Sequence, residues 1–251
     1  FITSSGFQGG AEKQLSHLIS FLLSETNAKV FLFIIGRGDY LVKQLSGRSL
    51  SIHQSDLGHG LLPRLLSFYD SFHAITRCLN SLDAQCTVLH GWLPLGNIFS
   101  FLIKILTRNS RPVIFTHRSS FFLFQSLLSQ LCLYCVLLIS FLFRRSILHV
   151  ANSSTIFNHP ICRILLPHKS CFVIHNGFSL PQPPFRPEVL YYQYDRPKVL
   201  NLLYVARFSP EKRHSLLFEA LSMISIPFKL TCIGSGCTYN NPHFARTISY
   251  F

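Results

Sequence analysis

The sequence predicts an α/β protein built on parallel sheet, organised as two units. Two observations carry this. Apolar runs of strand length alternate with amphipathic stretches of helix length, and several of the runs are apolar throughout, as in strands covered on both faces. The alternation lapses between Ser179 and Pro197, where five of the thirteen prolines fall, and then begins afresh. The expected organisation is a first domain over 1–178, a proline-rich linker over 179–197 and an incomplete second domain over 198–251.

Each element follows from its residues. FITSSGFQGGAEKQLSHLISFLL reads as the end of a strand, a glycine loop and a helix, with Leu15, Leu18, Ile19 and Leu22 on one stripe. Gly9 and Gly10 stand just ahead of that helix, where backbone turns sharply or comes close to something. VFLFIIG is a buried strand ended by glycine, SLSIHQSDL a weaker one, and Leu61 to Leu82 has a helical pattern. TVLHGW and PVIFTHRSS are strands running into loops with His90 and with His117 and Arg118, and a helix is expected between them from Pro94 to Leu106. SILHVANSS and CFVIHNG are two more strands, joined by a helix over Ser154 to Leu166. Beyond the linker come a strand, NLLYVAR, a helix over 211–225, a strand, FKLTCIGSG, then a loop and the start of a further strand.

The segment from Phe121 to Phe143 is long enough to span a bilayer. It occupies the slot of a crossover helix between two strands, and a span would place those strands on opposite sides of the membrane. A helix buried on one face that dips into lipid with another is therefore expected.

The formal net charge is +13, and no acidic residue occurs between Asp83 and Glu188. Such a field attracts polyanions. The basic residues are scattered through long apolar runs and not gathered on one polar helix, which disfavours nucleic acid and favours an anionic membrane surface; a generally basic proteome is the plainer alternative. The eight cysteines sit in apolar stretches, as buried thiols of a reducing compartment do. Cys132 and Cys135 form a C-x-x-C with no second pair at a zinc-like distance, so neither a metal nor a redox role is expected. The chain begins and ends inside apolar runs and has no opening Met, which reads as a fragment at both ends.

The stretch with most chemistry is LLYVARFSPEKRHSLLFEAL: a short strand ending at Arg207, a turn with Ser209 and Pro210, then Glu211 and Lys212 opening a helix. Cations beside free N–H groups at a helix start suit an anion, a diphosphate above all. This stretch resembles the phosphate segment of family 4 glycosyltransferases, "GR-x-x-x-x-K-G". GGAEKQL is similar to their glycine loop, VANSS and VIHNGF to their junction signatures, and LTCIGSG to their "L-x-I-x-G-x-G", all in the family's order.

The resemblance implies a GT-B-like fold: a Rossmann-like acceptor-side domain and the first part of a second Rossmann-like domain for a nucleotide-sugar donor, UDP- or GDP-linked. The implied reaction is sugar transfer with retained anomeric configuration, without metal or other cofactor, to a lipid-linked or glycan acceptor. It would occur on the cytoplasmic face of a membrane to which the protein binds peripherally. In this reading Arg207 and Lys212 grip the donor diphosphate and stabilise its charge as it leaves, and Gly9 and Gly10 let backbone approach it. His117 hydrogen-bonds the transferred sugar, Gly234 and Gly236 shape the nucleotide pocket, and His90 and Arg118 lie on the acceptor side.

Plainer roles stand beside these: a solvated helix start, a simple turn, structural histidines. Three departures from the family pattern are Ala206 for the glycine of "GR", Ser179 for an Asp, and Arg213 for the glycine after the Lys. The family's "E-x7-E" has no counterpart, so little or no transferase activity is expected of the chain alone. The rival reading is a basic membrane-associated protein that keeps the fold without a working donor site.

Overall fold

A computed structural model describes residues 1–55, 61–108, 111–118, 127–143, 145–178 and 199–249. The chain divides into two compact units, Phe1–Ser179 and Leu180–Phe251. The expected linker over 179–197 lies outside the described residues.

The first unit is a seven-stranded sheet, every described pair parallel. Its strands are β1 (Ile2–Thr3), β2 (Phe31–Ile34), β3 (Ser51–Gln54), β4 (Leu89–Trp92), β5 (Val113–His117), β6 (Ile147–Ala151) and β7 (Cys171–Val173), in the order β3-β2-β1-β4-β5-β6-β7. The chain lays strands outward from β1 on one side, then returns to β4 and proceeds on the other. The point of reversal, between β1 and β4, opens a crevice at the carboxyl ends of the strands, where α/β sheets bind ligands.

Helix α1 (Gly10–Glu25) buries Leu15 and Ile19 with Leu32, Ile34 and Trp92. A short α2 (Tyr40–Leu45), absent from the expectation, adds Leu41 and Leu45. The remaining core gathers Ile2, Phe99, Phe101, Ile103 and Phe115 around α3 (Leu61–Asn80), α4 (Leu93–Leu106) and α5 (Leu127–Leu142). The helix expected over 154–166 is two, α6 (Ser154–Asn158) and α7 (Pro160–Leu165). His159, before Pro160, is held extended at φ −64, ψ 135, as a residue before proline prefers, and its ring caps α7. Of the expected 121–143 helix, residues 121–126 lie outside the described residues.

The second unit has β8 (Leu200–Val205) parallel to β9 (Phe228–Ile233), with α8 (His214–Ser222) and α9 (Pro242–Ser249). Two expectations are corrected. The helix expected from Glu211 begins at His214: residues Pro210–Lys212 form a single 3-10 turn, and Arg213 breaks the path at φ 52, ψ 45. Lys212 therefore lies on that turn and not in the first turn of α8. The strand expected near the end is α9, started by the Asn241 side chain, which accepts from the His243 amide, and by Pro242 at the first position.

Two predictions concern backbone. A Cβ at Gly36 would lie 2.2 Å from the Ser4 carbonyl oxygen, whereas one at Gly10 meets nothing within 4 Å. Gly36→Ala is expected to cost about 1–3 kcal/mol of stability and Gly10→Ala to change it by less than about 0.5 kcal/mol, read from urea midpoints. Arg213 occupies the left-handed region that suits glycine. Arg213→Gly should stabilise the second unit by about 0.5–1 kcal/mol, seen as slower amide exchange along α8, and Arg213→Ala should not.

Candidate functional site

In the first unit the candidate residues gather where strands end. Trp92 closes β4 and is buried, with its Nε1 donating to the Ala11 carbonyl at 3.1 Å, so β4 holds the start of α1. The Arg118 guanidinium, one residue past β5, stands 4.1 Å from the Trp92 ring centre. Its Nη1 donates to the Asn176 side-chain oxygen at 2.6 Å. Burial lowers Arg118 to about 10, which leaves it charged at neutral pH. Gln14 of α1 donates to the Gly177 carbonyl at 2.9 Å, joining the glycine-loop helix to the segment after β7.

His117 and His149 form a buried pair: His117 Nε2 lies 3.1 Å from His149 Nδ1, and the rings stack at 20°. Burial holds His117 well below its ordinary value, and the neighbouring His149 pushes the same way. Burial alone lowers His149 to about 4. Both rings are neutral at pH 7, so one nitrogen donates and the other accepts across the pair. His149 received no role from sequence; only the β5–β6 register, which sets His149 opposite Phe115 and Ala151 opposite His117, brings it there.

His90 is drawn inward. Its Nε2 is bonded to the Thr116 hydroxyl, its ring lies 5.5 Å from that of Trp92, and burial pushes it down to about 3. Asn97 of α4 grips β5 from behind by accepting from the Thr116 amide and donating to its carbonyl. Gly9 precedes α1 with extended backbone, and a Cβ there would meet the Glu12 carboxylate at 2.4 Å, so its small size makes room for Glu12. Gly10 has open space around it.

In the second unit, Arg207 follows β8 and donates to the Glu211 carboxylate at 2.7 Å, an exposed i, i+4 pair that contributes about 0.3–0.5 kcal/mol. Glu211 is held down to about 2, first by its own backbone amide and then by the Ser209 and Arg207 side chains. Lys212 is exposed on the 3-10 turn, and its carbonyl accepts from the Tyr204 hydroxyl. Gly234 and Gly236 tie the loop after β9 to the loop after β8. A Cβ on Gly234 would lie 2.1 Å from the Ala206 carbonyl oxygen, and the Phe208 amide donates to Ser235. His214 is buried among Tyr204, Phe208, Phe218 and Phe244. Sequence assigned it nothing, and its place is in the core of this unit.

Among the described residues no group of three or more His, Cys, Asp or Glu side chains gathers as metal ligands would. Cys135 is an exposed free thiol, and the side chain of Cys132 lies outside the described residues.

No family model matches the chain, and no curated protein matches it. Solved structures do. The chain is similar to Anabaena Alr3699/HepE, solved in complex with UDP and glucose, at TM-score 0.69 and 16% identity over 99% of this chain and 66% of that one. It is similar also to the lipopolysaccharide outer core galactosyltransferase WaaB in its apo form, at TM-score 0.66 and 18% identity over 100% of this chain and 63% of that one. The chain thus spans slightly under two thirds of the length of these proteins. At such identities the likeness is one of fold, and the fold is the α/β, Rossmann-like, GT-B-like one that the sequence predicted.

Proposed function

We propose that this fold serves a glycosyltransferase that moves a sugar from a UDP- or GDP-linked donor, with retained configuration, to a lipid-linked or polysaccharide acceptor. The observation that carries the reading is the loop after β8. It sets Arg207 and Lys212 five residues apart at the carboxyl end of a parallel strand, where Rossmann-like units take phosphate. Bond cleavage at the sugar's anomeric carbon leaves negative charge on the departing diphosphate. Two cations lower the barrier by meeting that charge as it develops, in place of a metal ion. Arg207 is aimed by Glu211, and the Lys212 backbone is fastened by Tyr204. His117, buried, neutral and oriented by His149, supplies a directional hydrogen bond to the sugar.

The membrane part of the proposal rests on α5. Leu131, Tyr134, Leu138, Phe141 and Leu142 are exposed along one side of this helix, and Arg145 is exposed just after it. Among the described residues no helix is long and apolar enough to cross a membrane. The stripe therefore suits insertion into one leaflet, with the exposed Arg145 just after it available to anionic headgroups.

Calorimetric titration with UDP tests the donor reading: saturable binding is expected, weakened tenfold or more by Arg207→Ala through loss of a charge-assisted contact of about 1.5–3 kcal/mol. Absence of UDP binding would favour the rival, a membrane-associated protein without a donor site. Co-sedimentation with vesicles tests the membrane part. Binding should require anionic lipid and fall at least fivefold when Leu138 and Phe141 are replaced by Ser, and equal binding to neutral vesicles would remove it.

A further inference from the structure

A cavity of about 660 Å³ lies in the first unit between α1 and the strands β4, β5 and β6. Its walls are of two kinds. Phe21, Ile174 and Phe178 present exposed apolar surface, while Gln14, Arg118 and His175 bring polar groups to it. Among the described residues no carboxylate lines it. Arg118 is the cation of this cavity, and among the described residues no carboxylate pairs with it. Among the described residues its partners are the neutral Asn176 amide and the face of Trp92, and its buried Nε has no hydrogen bond. A guanidinium partly withdrawn from water and given only neutral partners is incompletely compensated, and an anion completes it.

We infer that this cavity is a binding site for a phosphate ester whose phosphate meets Arg118 and whose apolar or sugar body lies against α1 and the aromatic wall. The stacked Trp92 fixes the plane of the guanidinium, and the bond to Asn176 occupies one of its amino groups, so an incoming phosphate finds the remaining donors already oriented. His90, neutral and bonded to Thr116, contributes shape and no charge. A phosphate of this kind belongs either to a lipid-linked sugar or to a soluble sugar phosphate. Naming it the acceptor rests on the transferase reading; the binding itself does not.

Trp92 is the only tryptophan of the chain, so its emission reports the cavity directly. The full chain is titrated with octyl phosphate, with glucose 1-phosphate and with the neutral octyl β-glucoside, following emission and the thermal midpoint. A saturable emission change and a raised midpoint are expected with at least one phosphate ester, and neither with the glucoside at tenfold higher concentration. The tighter of the two esters identifies the source, lipid-like or soluble. Arg118→Gln should weaken the response tenfold or more. An equal response to the glucoside, or a variant that responds like the natural protein, overturns the inference, and the comparison of esters with glucoside decides it even if the variant fails to fold. Repeating the titration with UDP separates the two proposals. Lost phosphate binding with UDP binding intact sinks this inference alone, and the converse leaves the cavity standing and withdraws only the word acceptor.

Discussion

The geometry of the first unit depends on backbone lying directly against backbone around β1. This strand has two residues, yet it stands inside the sheet between β2 and β4, at the point where strand order reverses. On the side of β2, a Cβ at Gly36 would meet the Ser4 oxygen at 2.2 Å, one at Gly6 the Gly38 oxygen at 2.3 Å, and one at Gly38 the Phe7 amide nitrogen at 2.2 Å. On the side of α4, a Cβ at Gly96 would meet the Ile2 oxygen at 2.3 Å. No side chain fits at these contacts, and helix and loops close to a distance only glycine permits. The loop after β1, the start of α1 and the Trp92–Arg118 stack are placed by that closeness.

Much of this was legible because the period of apolar residues is a local property. Runs such as VFLFIIG and PVIFTH are strands wherever the chain puts them, and the stripe of α1 was visible in four leucines and isoleucines. Errors fell where one residue's backbone outweighed the pattern. Arg213 in the left-handed region ends a 3-10 turn and delays α8, and it stands at the position where the resembling family has glycine. Pro160 splits a single periodic stretch into two helices, and Pro242 after Asn241 begins a helix where a closing strand was expected. The candidate site was legible as types and not as pairs. His117 and Arg118 were singled out, but His149 and Asn176 are 32 and 58 residues away from them and are brought close only by strand order.

The two arginines that flank β5 show how position decides what a charge can do. Arg111 precedes the strand and is buried, and its guanidinium donates to the Leu79 and Leu82 carbonyls at 2.7 and 2.6 Å, satisfying the end of α3. Lys104 in turn donates to the Arg111 carbonyl. Counted from composition, both residues belong to the acid-free basic span; in the folded chain each donates to backbone carbonyls, Arg111 at the end of α3 and Lys104 just before β5.

Arg118, at the other end of the same strand, has the same side chain in different company. The carboxyl edge of the sheet puts it beside an aromatic ring and an amide, at the mouth of a cavity. Residues counted alike in a net charge of +13 thus differ by what they meet: Arg111 and Lys104 bond internal carbonyls, Arg207 and Lys43 pair with carboxylates, and Arg118 stacks on an aromatic ring. For the two arginines beside β5, the end of the strand decides which. The amino end of β5 meets the close of a helix, and the carboxyl end meets the crevice at which a parallel sheet of this order presents its chemistry.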